Sequence, residues 1–168
     1  MRSLKEQMQS YGAYHRDPRN KLTHFVGVPL VTFALFLFLG WFRFVHAPDL
    51  PITVATLFYL GVSIYYLRLD AMVALLQLPI TLTLLGLADW AARLPFRQSL
   101  AVFLTTFVLG WIIQLAGHAI EGRRPALADN ILQVFNAPLF LTVEVLTLLG
   151  FRRDLAEPER LGPAEGVT

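Results

Sequence analysis

The sequence predicts an all-α protein: an integral membrane bundle of four to five transmembrane helices with an N-terminal amphipathic interfacial helix. Three observations point there. The 168 residues are 55% hydrophobic and only 15% charged, with a mean hydropathy of +0.55. Ordinary soluble domains are about 25% charged, and so few charges cannot cover this much apolar surface on a chain of this size. The apolar residues also fall into five runs, each near the roughly 20 residues that a span requires. Finally, basic residues are distributed unevenly around the first run. Arg2, Lys5, Arg16, Arg19 and Lys21 precede it and only Arg43 follows, which predicts a cytoplasmic N-terminus.

The elements follow in order. Ser3-Leu4-Lys5-Glu6 has the form of a capping box, in which Ser3 accepts from the Glu6 amide and Glu6 reaches back. Leu4, Met8, Tyr11 and His15 then repeat at helical spacing, which predicts a short helix lying at the interface. Pro18 is expected to stop it, because residue 17 is pushed out of helical geometry. The five spans are placed at 25–45, 51–67, 71–90, 99–120 and 131–151. Only Arg68-Leu69-Asp70 separates the second from the third, and Pro29, Pro79 and Pro138 are expected to kink helices rather than end them. A fifth crossing would carry Arg152 and Arg153 to the outside, so that segment either spans against the charge rule or dips in and returns. Residues 1–151 form one membrane-embedded domain, and 152–168 a polar tail expected to be disordered.

Composition also excludes classes of function. The chain has no cysteine, so disulfides, thiolate ligands and a cysteine nucleophile are all excluded. Any metal is held by nitrogen and oxygen, a set suited to zinc, iron or manganese. A net charge of +2, with arginines at the ends of apolar runs, gives no nucleic-acid footprint. Residues 1–21 lack the apolar core of a signal peptide, so the first span is expected to be its own insertion signal.

Two polar clusters interrupt this pattern. The first is Tyr14-His15-Arg16-Asp17-Pro18-Arg19-Asn20-Lys21-Leu22-Thr23-His24, before the first apolar run; the second, Gln114 to Pro125, closes the fourth. Ionisable side chains at membrane depth are expensive, and by default they mark a functional site. On one continuous helix His15 and His24 would lie about half a turn out of phase and roughly 13 Å apart along the axis. A fold-back at Pro18 is what could bring both imidazoles to one point. Asn20 sits where an N-cap or a hydrogen-bond donor to the site is useful. His118 and Glu121, three apart, share a helical face with Gln114, and Gly117 lets another backbone or a ligand come close. Three imidazoles and a carboxylate approach the donor sets of non-haem iron and of catalytic zinc.

The remaining polar residues read as structural. His46 is a loop histidine, and Tyr11 and Tyr14 are interface aromatics. Arg123-Arg124 is a flank anchor, although a guanidinium there could hold a carboxylate bidentately. Glu144, deep in the last apolar run, is open between a protonated packing residue, a partner to the site and a further ligand. Asn130, Gln133 and Asn136 form a polar seam that either approaches the site or joins helices.

Tyr14-His15, Asn20 and His24-Phe25-Val26-Gly27-Val28-Pro29, followed by Gln114, Gly117-His118 and Glu121-Gly122-Arg123 with Pro125-Ala126-Leu127, resemble the membrane family of 2-hydroxy fatty acid dioxygenases. Many bacterial members of that family carry only a domain-of-unknown-function label. The resemblance runs from about Leu4 to Arg153 and implies an iron(II) enzyme. It shortens a 2-hydroxy fatty acid by one carbon, consuming O2 and losing the carboxyl carbon. In eukaryotic members this serves phytosphingosine breakdown at the endoplasmic reticulum. By that similarity His15, His24 and His118 are metal ligands, with Glu121 a fourth ligand or a nearby base. Asn20 joins Glu121 as a catalytic residue, and Tyr14, Gln114, Arg123 and Arg124 are expected to bind substrate.

A 2-hydroxy acid chelates iron through carboxylate and hydroxyl and leaves a position for oxygen, as open-site non-haem iron requires. Burial of its alkyl chain from water is worth about 0.8 kcal/mol per methylene. From lipid that gain nearly vanishes, so chain-length selectivity is expected to come from pocket shape. The partners expected are the 2-hydroxy fatty acid, O2 and membrane lipid, in a bacterial inner membrane with the metal near the cytoplasmic face. The rival readings are a zinc-dependent lipid hydrolase and a non-enzymatic transporter or scaffold. The absence of an inverted repeat and the gathering of polar groups at one face count against transport.

Overall fold

The computed structural model describes residues 3–45, 52–125 and 131–156. Helix α1 (Leu4–Gly12) opens with the expected capping box: the Glu6 amide donates to Ser3 Oγ at 3.3 Å, and the Ser3 amide donates to Glu6 Oε2 at 2.8 Å. It ends at Gly12, earlier than expected, and His15 lies in a turn rather than on the helix. Pro18 does not stop this helix. It occupies the first turn of the next one, α2 (Pro18–Gly40), where its fixed φ and missing N–H are harmless. Asp17, not Asn20, is the N-cap, with Oδ1 accepting from the Arg19 amide at 2.8 Å. His24 therefore sits inside α2, not before it.

Two short antiparallel strands, β1 (Arg43–Val45) and β2 (Ile52–Thr53), turn the chain into α3 (Val54–Leu69). Asp70 ends α3 and caps α4 (Ala71–Ala92) through the Val73 amide at 3.0 Å. Helix α5 (Phe96–Glu121) is followed by a 3-10 turn (Ile131–Phe135), α6 (Asn136–Leu148) and the short α7 (Arg153–Ala156). His46, Asn130 and residues 157–168 lie outside the described residues.

Among the described residues, three helices are long and apolar enough to cross a membrane: α2, α4 and α5. Helix α3 leads from the end of α2 back to the start of α4, so it too runs the length of the bundle. With 16 and 13 residues, α3 and α6 reach only about 24 and 20 Å, against a hydrocarbon core of roughly 30 Å. The outer faces of the long helices are apolar, with Leu22, Leu75 and Trp90 each about two-thirds exposed (66%, 64% and 65%).

The fifth apolar run belongs to the interior. Eight of the 13 residues of α6 are buried, against five of the 26 in α5. Both ends of the run also meet the same end of the bundle. Arg123 donates to the Ala13 carbonyl at 2.9 Å, and Arg152 to Asp70 at the start of α4 at 2.6 Å. The run thus leaves and rejoins the same end of the bundle, the end that holds the N-terminal basic residues. Its return seats Leu139, Phe140 and Val143 in one core with Leu4, Met8 and Tyr11 of α1. The face of α1 that was expected at a lipid interface is thus covered by α6 and α7.

Helices α2 and α4 run parallel, with Gly40 meeting Ala92 at the opposite end. There Asp89 lies between Arg43 (2.9 Å) and Arg93 (2.8 Å), and Trp41 Nε1 donates to Ser99 Oγ at 2.8 Å. The two clusters singled out in the sequence meet at the first end.

Candidate metal centre

His15 is held by the turn after α1. Its Nδ1 lies 2.9 Å from the Tyr11 carbonyl, and its ring stacks on the Tyr11 ring with centroids 4.2 Å apart and planes 11° apart. His24 is held by α2 itself, with Nδ1 3.0 Å from the Asn20 carbonyl one turn earlier. A carbonyl oxygen only accepts, so each Nδ1 carries the hydrogen and each Nε2 of the neutral ring presents a lone pair. Those two Nε2 atoms lie 3.1 Å apart. Facing lone pairs at that distance repel unless a proton or a cation lies between them. Burial, opposed only in part by the Tyr11 carbonyl, pushes His15 down to about 3. A shared proton is therefore disfavoured near neutral pH, and a cation is the occupant that fits.

His118 reaches the same point from α5. Its ring centroid lies 4.8 Å from that of His15 and 5.0 Å from that of His24. All three imidazoles are buried, and one ligand nitrogen from each falls within 4.8 Å of the others. Asn20 is fully buried among them. Its Nδ2 donates to Glu121 Oε2 at 2.6 Å and lies 3.4 Å from His118 Nδ1, while its Oδ1 has no hydrogen-bond partner. That oxygen lies against Gly117, where α2 and α5 cross, so Asn20 turns its amide nitrogen toward His118 and Glu121.

Small residues allow α2 and α5 to cross this closely. A Cβ on Gly117 would overlap Thr23 Oγ1 and Asn20 Oδ1, one on Gly27 would overlap Gln114 Cγ, and one on Gly110 would come within 2.9 Å of Val31 Cγ2. The sequence identified Gly117 for close approach; Gly27 and Gly110 were missed, because nothing local marks which glycines face a neighbour.

Glu121 is the clasp between the clusters. Oε1 accepts from the Arg16 amide at 2.7 Å and Oε2 from Asn20, tying the His15 turn to the end of α5. Gly122, at φ 70°, ends α5 immediately afterwards in the left-handed conformation that glycine adopts without penalty. Glu144 does not join the centre; it pairs with Lys21 at 2.7 Å. Gln114 is buried and lines a small cavity with His24 and His118. Arg123, half-exposed, is spent on the Ala13 carbonyl, and Arg124 is exposed. Tyr14 packs beside the α1–α6 core and lends its carbonyl to Asn20 at 3.5 Å.

Two residues outside the expected ligand and substrate sets shape the site: Tyr11, expected as an interface aromatic, and Gln133, whose seam was open between the site and helix joining. Tyr11 stacks on His15, and its spacing of four from that histidine is a signal that could have found it. Gln133 lines the same cavity as His24, donates to Ser10 at 3.2 Å and accepts from Asn136 at 2.7 Å. The polar seam thus both approaches the site and joins helices.

Residues 1–149 match the family model described as "Mpo1-like: 2-hydroxy-palmitic acid dioxygenase Mpo1-like". The chain is 34% identical over 150 residues to the 2-hydroxy-palmitic acid dioxygenase MPO1 of Saccharomyces cerevisiae, covering 88% of this chain and 82% of the relative. No solved structure matches it.

Proposed function

We propose, from the premise that this chain belongs to the Mpo1-like family, that it is an iron(II)-dependent dioxygenase converting a 2-hydroxy fatty acid into the fatty acid one carbon shorter. The reaction balances as 2-hydroxy acid plus O2 giving the shorter acid, CO2 and water. The observation that carries this reading is the pair of buried, neutral imidazoles whose Nε2 lone pairs face each other at 3.1 Å, with His118 as third donor beside a cavity.

His15, His24 and His118 would hold the iron, and Glu121, tied to the Arg16 amide and to Asn20 beside them, would serve as a nearby proton acceptor. The bound metal supplies the activation of O2 that no side chain here can provide. The protein's own groups do the rest. The Tyr11 and Asn20 carbonyls fix the tautomers and aim the two Nε2 atoms. Glu121 and Asn20 lock the His15 turn against α5, so the third ligand cannot drift from the other two. Gln114 and Gln133 offer amides to the substrate's carboxylate and hydroxyl inside the cavity. Tyr14, Arg123 and Arg124 act from outside it, Arg123 by pinning the turn and Arg124 as an approach charge for an anionic substrate. Stacked Tyr11 and Trp111 at the cavity wall keep bulk water from the reacting carbon.

The protein is embedded in a membrane, as an inner-membrane protein in a bacterial cell, with α1 at the interface and the metal near the cytoplasmic face. Arg16, Arg19, Lys21, Arg68, Arg123 and Arg152 share the end that holds the histidines, against Arg43, Arg93 and Arg97 at the other, and by the positive-inside rule this asymmetry supports a cytoplasmic position for the richer end.

Elemental analysis of purified protein, beside O2 uptake and CO2 release with 2-hydroxy-palmitic acid, tests the reading. Near-stoichiometric iron and equimolar O2 and CO2 support it. Zinc with O2-independent lipid hydrolysis would establish the hydrolase instead.

A further inference from the structure

We propose that the groove between α2, α4 and α6 is the seat of the substrate's alkyl chain and that Thr32 sets the chain length accepted. The proposal rests on the reading that the chain acts on 2-hydroxy fatty acids. The cavity at His24 and His118 has a volume of about 50 Å³, room for a polar head and little more. Two of its wall residues, Val28 and Thr32, are also walls of a groove of about 630 Å³. Thr32 lines a third small cavity as well, so it stands at the junction of all three.

The groove fits an alkyl chain and little else. Its lining is almost wholly apolar, and two of the polar side chains in it, Gln77 and Thr142, are hydrogen-bonded to each other. A third, Thr81, donates to the Gln77 and Leu78 carbonyls at 3.2 Å. Among the described residues no ionisable group lines it, so a charged guest would find no counter-charge there. Its volume lies within the roughly 300–1,000 Å³ of pockets that enclose small ligands. Along α4 it runs from Met72 to Leu84, about 18 Å at 1.5 Å per residue. One leaflet of a hydrocarbon core roughly 30 Å thick is about 15 Å deep, close to that run. Met72, Leu76 and Ile80, at 47%, 46% and 53% exposure, form its outer lip on the apolar surface, where a lipid arriving sideways would enter. A chain coming from lipid gains little from burial, so the shape at the junction, not hydrophobicity, decides what fits.

The test uses the full-length metal-loaded protein. Wild type is photolysed with 2-hydroxy-palmitic acid carrying a diazirine at its methyl end, and the labelled peptides are mapped. In parallel, turnover of 2-hydroxy-palmitic and 2-hydroxy-octanoic acids is compared for wild type and Thr32→Phe. We expect the label on α4 and α6, and a fall in the long-to-short ratio of at least about tenfold, the discrimination that a single methylene of misfit produces. Ile80→Trp, at the exposed lip, lowers the same ratio should Thr32→Phe lose helical content. Label outside the residues that line the groove, or an unchanged ratio in a folded variant, overturns the proposal. A wild type that labels the groove but turns over neither acid overturns the dioxygenase reading instead, and leaves the groove as a lipid-chain site.

Discussion

The two ends of the helical bundle each gather polar groups, and they do so by opposite rules. At the far end opposites pair: Asp89 forms ion pairs with Arg43 and Arg93, and Trp41 donates to Ser99. At the near end likes converge. Three buried imidazoles turn inward, two of them lone pair against lone pair. Matched pairs close a fold. Matched acceptors hold a place for something the chain does not itself contain, and the surrounding structure has to overrule their repulsion. At the near end that overruling is visible in the Tyr11 and Asn20 carbonyls, which fix the rings, and in Glu121, which clamps the turn.

The contrast can be broken most sharply at the ligands. His15→Ala, His24→Ala or His118→Ala should abolish both metal binding and turnover while membrane insertion and helical content stay as in wild type, measured by metal analysis and circular dichroism. Retention of bound metal in all three would mean the convergence of acceptors is incidental. Glu121→Gln keeps the shape but weakens both of its bonds to Arg16 and Asn20, and should lower metal affinity or activity by about 10–100-fold. A readout of affinity by chelator competition separates this from loss of fold.

Gly117→Ala tests the crossing itself. The added methyl meets Thr23 and Asn20, and overpacking of this kind costs about 1–3 kcal/mol; a lowered unfolding midpoint together with weakened metal binding is expected, because α5 carries His118 away from α2. Asp89→Asn at the far end should do the reverse, lowering stability by up to about 1 kcal/mol with metal content and turnover unchanged. The smallest effect concerns pH. Burial tends to raise the Asp70 carboxyl, but the Val73 amide and the Arg152 guanidinium outweigh it and hold Asp70 below its usual range. A depressed carboxylate stabilises the folded state above its unfolded value of about 3.9, and that contribution is lost as pH falls through the lower folded value. Asp70→Asn should therefore flatten the acid limb of stability below about pH 4, read by thermal unfolding across that range.

The composition, the capping box at Ser3, the paired clusters and Gly117 were legible in the chain because each depends on local spacing or on a side-chain property that holds in any fold, whereas the turn that carries His15 comes before Pro18, not at it. The number of long apolar helices and the fate of the last run were not. A run of apolar residues reads the same whether lipid or protein covers it, and α6 became a core helix only because α1 and α7 close over it. Likewise the sequence presented three histidines and a carboxylate as candidates, but it could not say which atoms would face inward. That was decided by the Tyr11 and Asn20 carbonyls and by the close approach of α2 and α5, contacts set by the packing of residues as much as 100 positions apart, such as Asn20 and Glu121. The sequence determined which chemistry was available; the tertiary structure decided which lone pairs meet, because an imidazole's direction is fixed by its hydrogen-bond partner, not by its place in the chain.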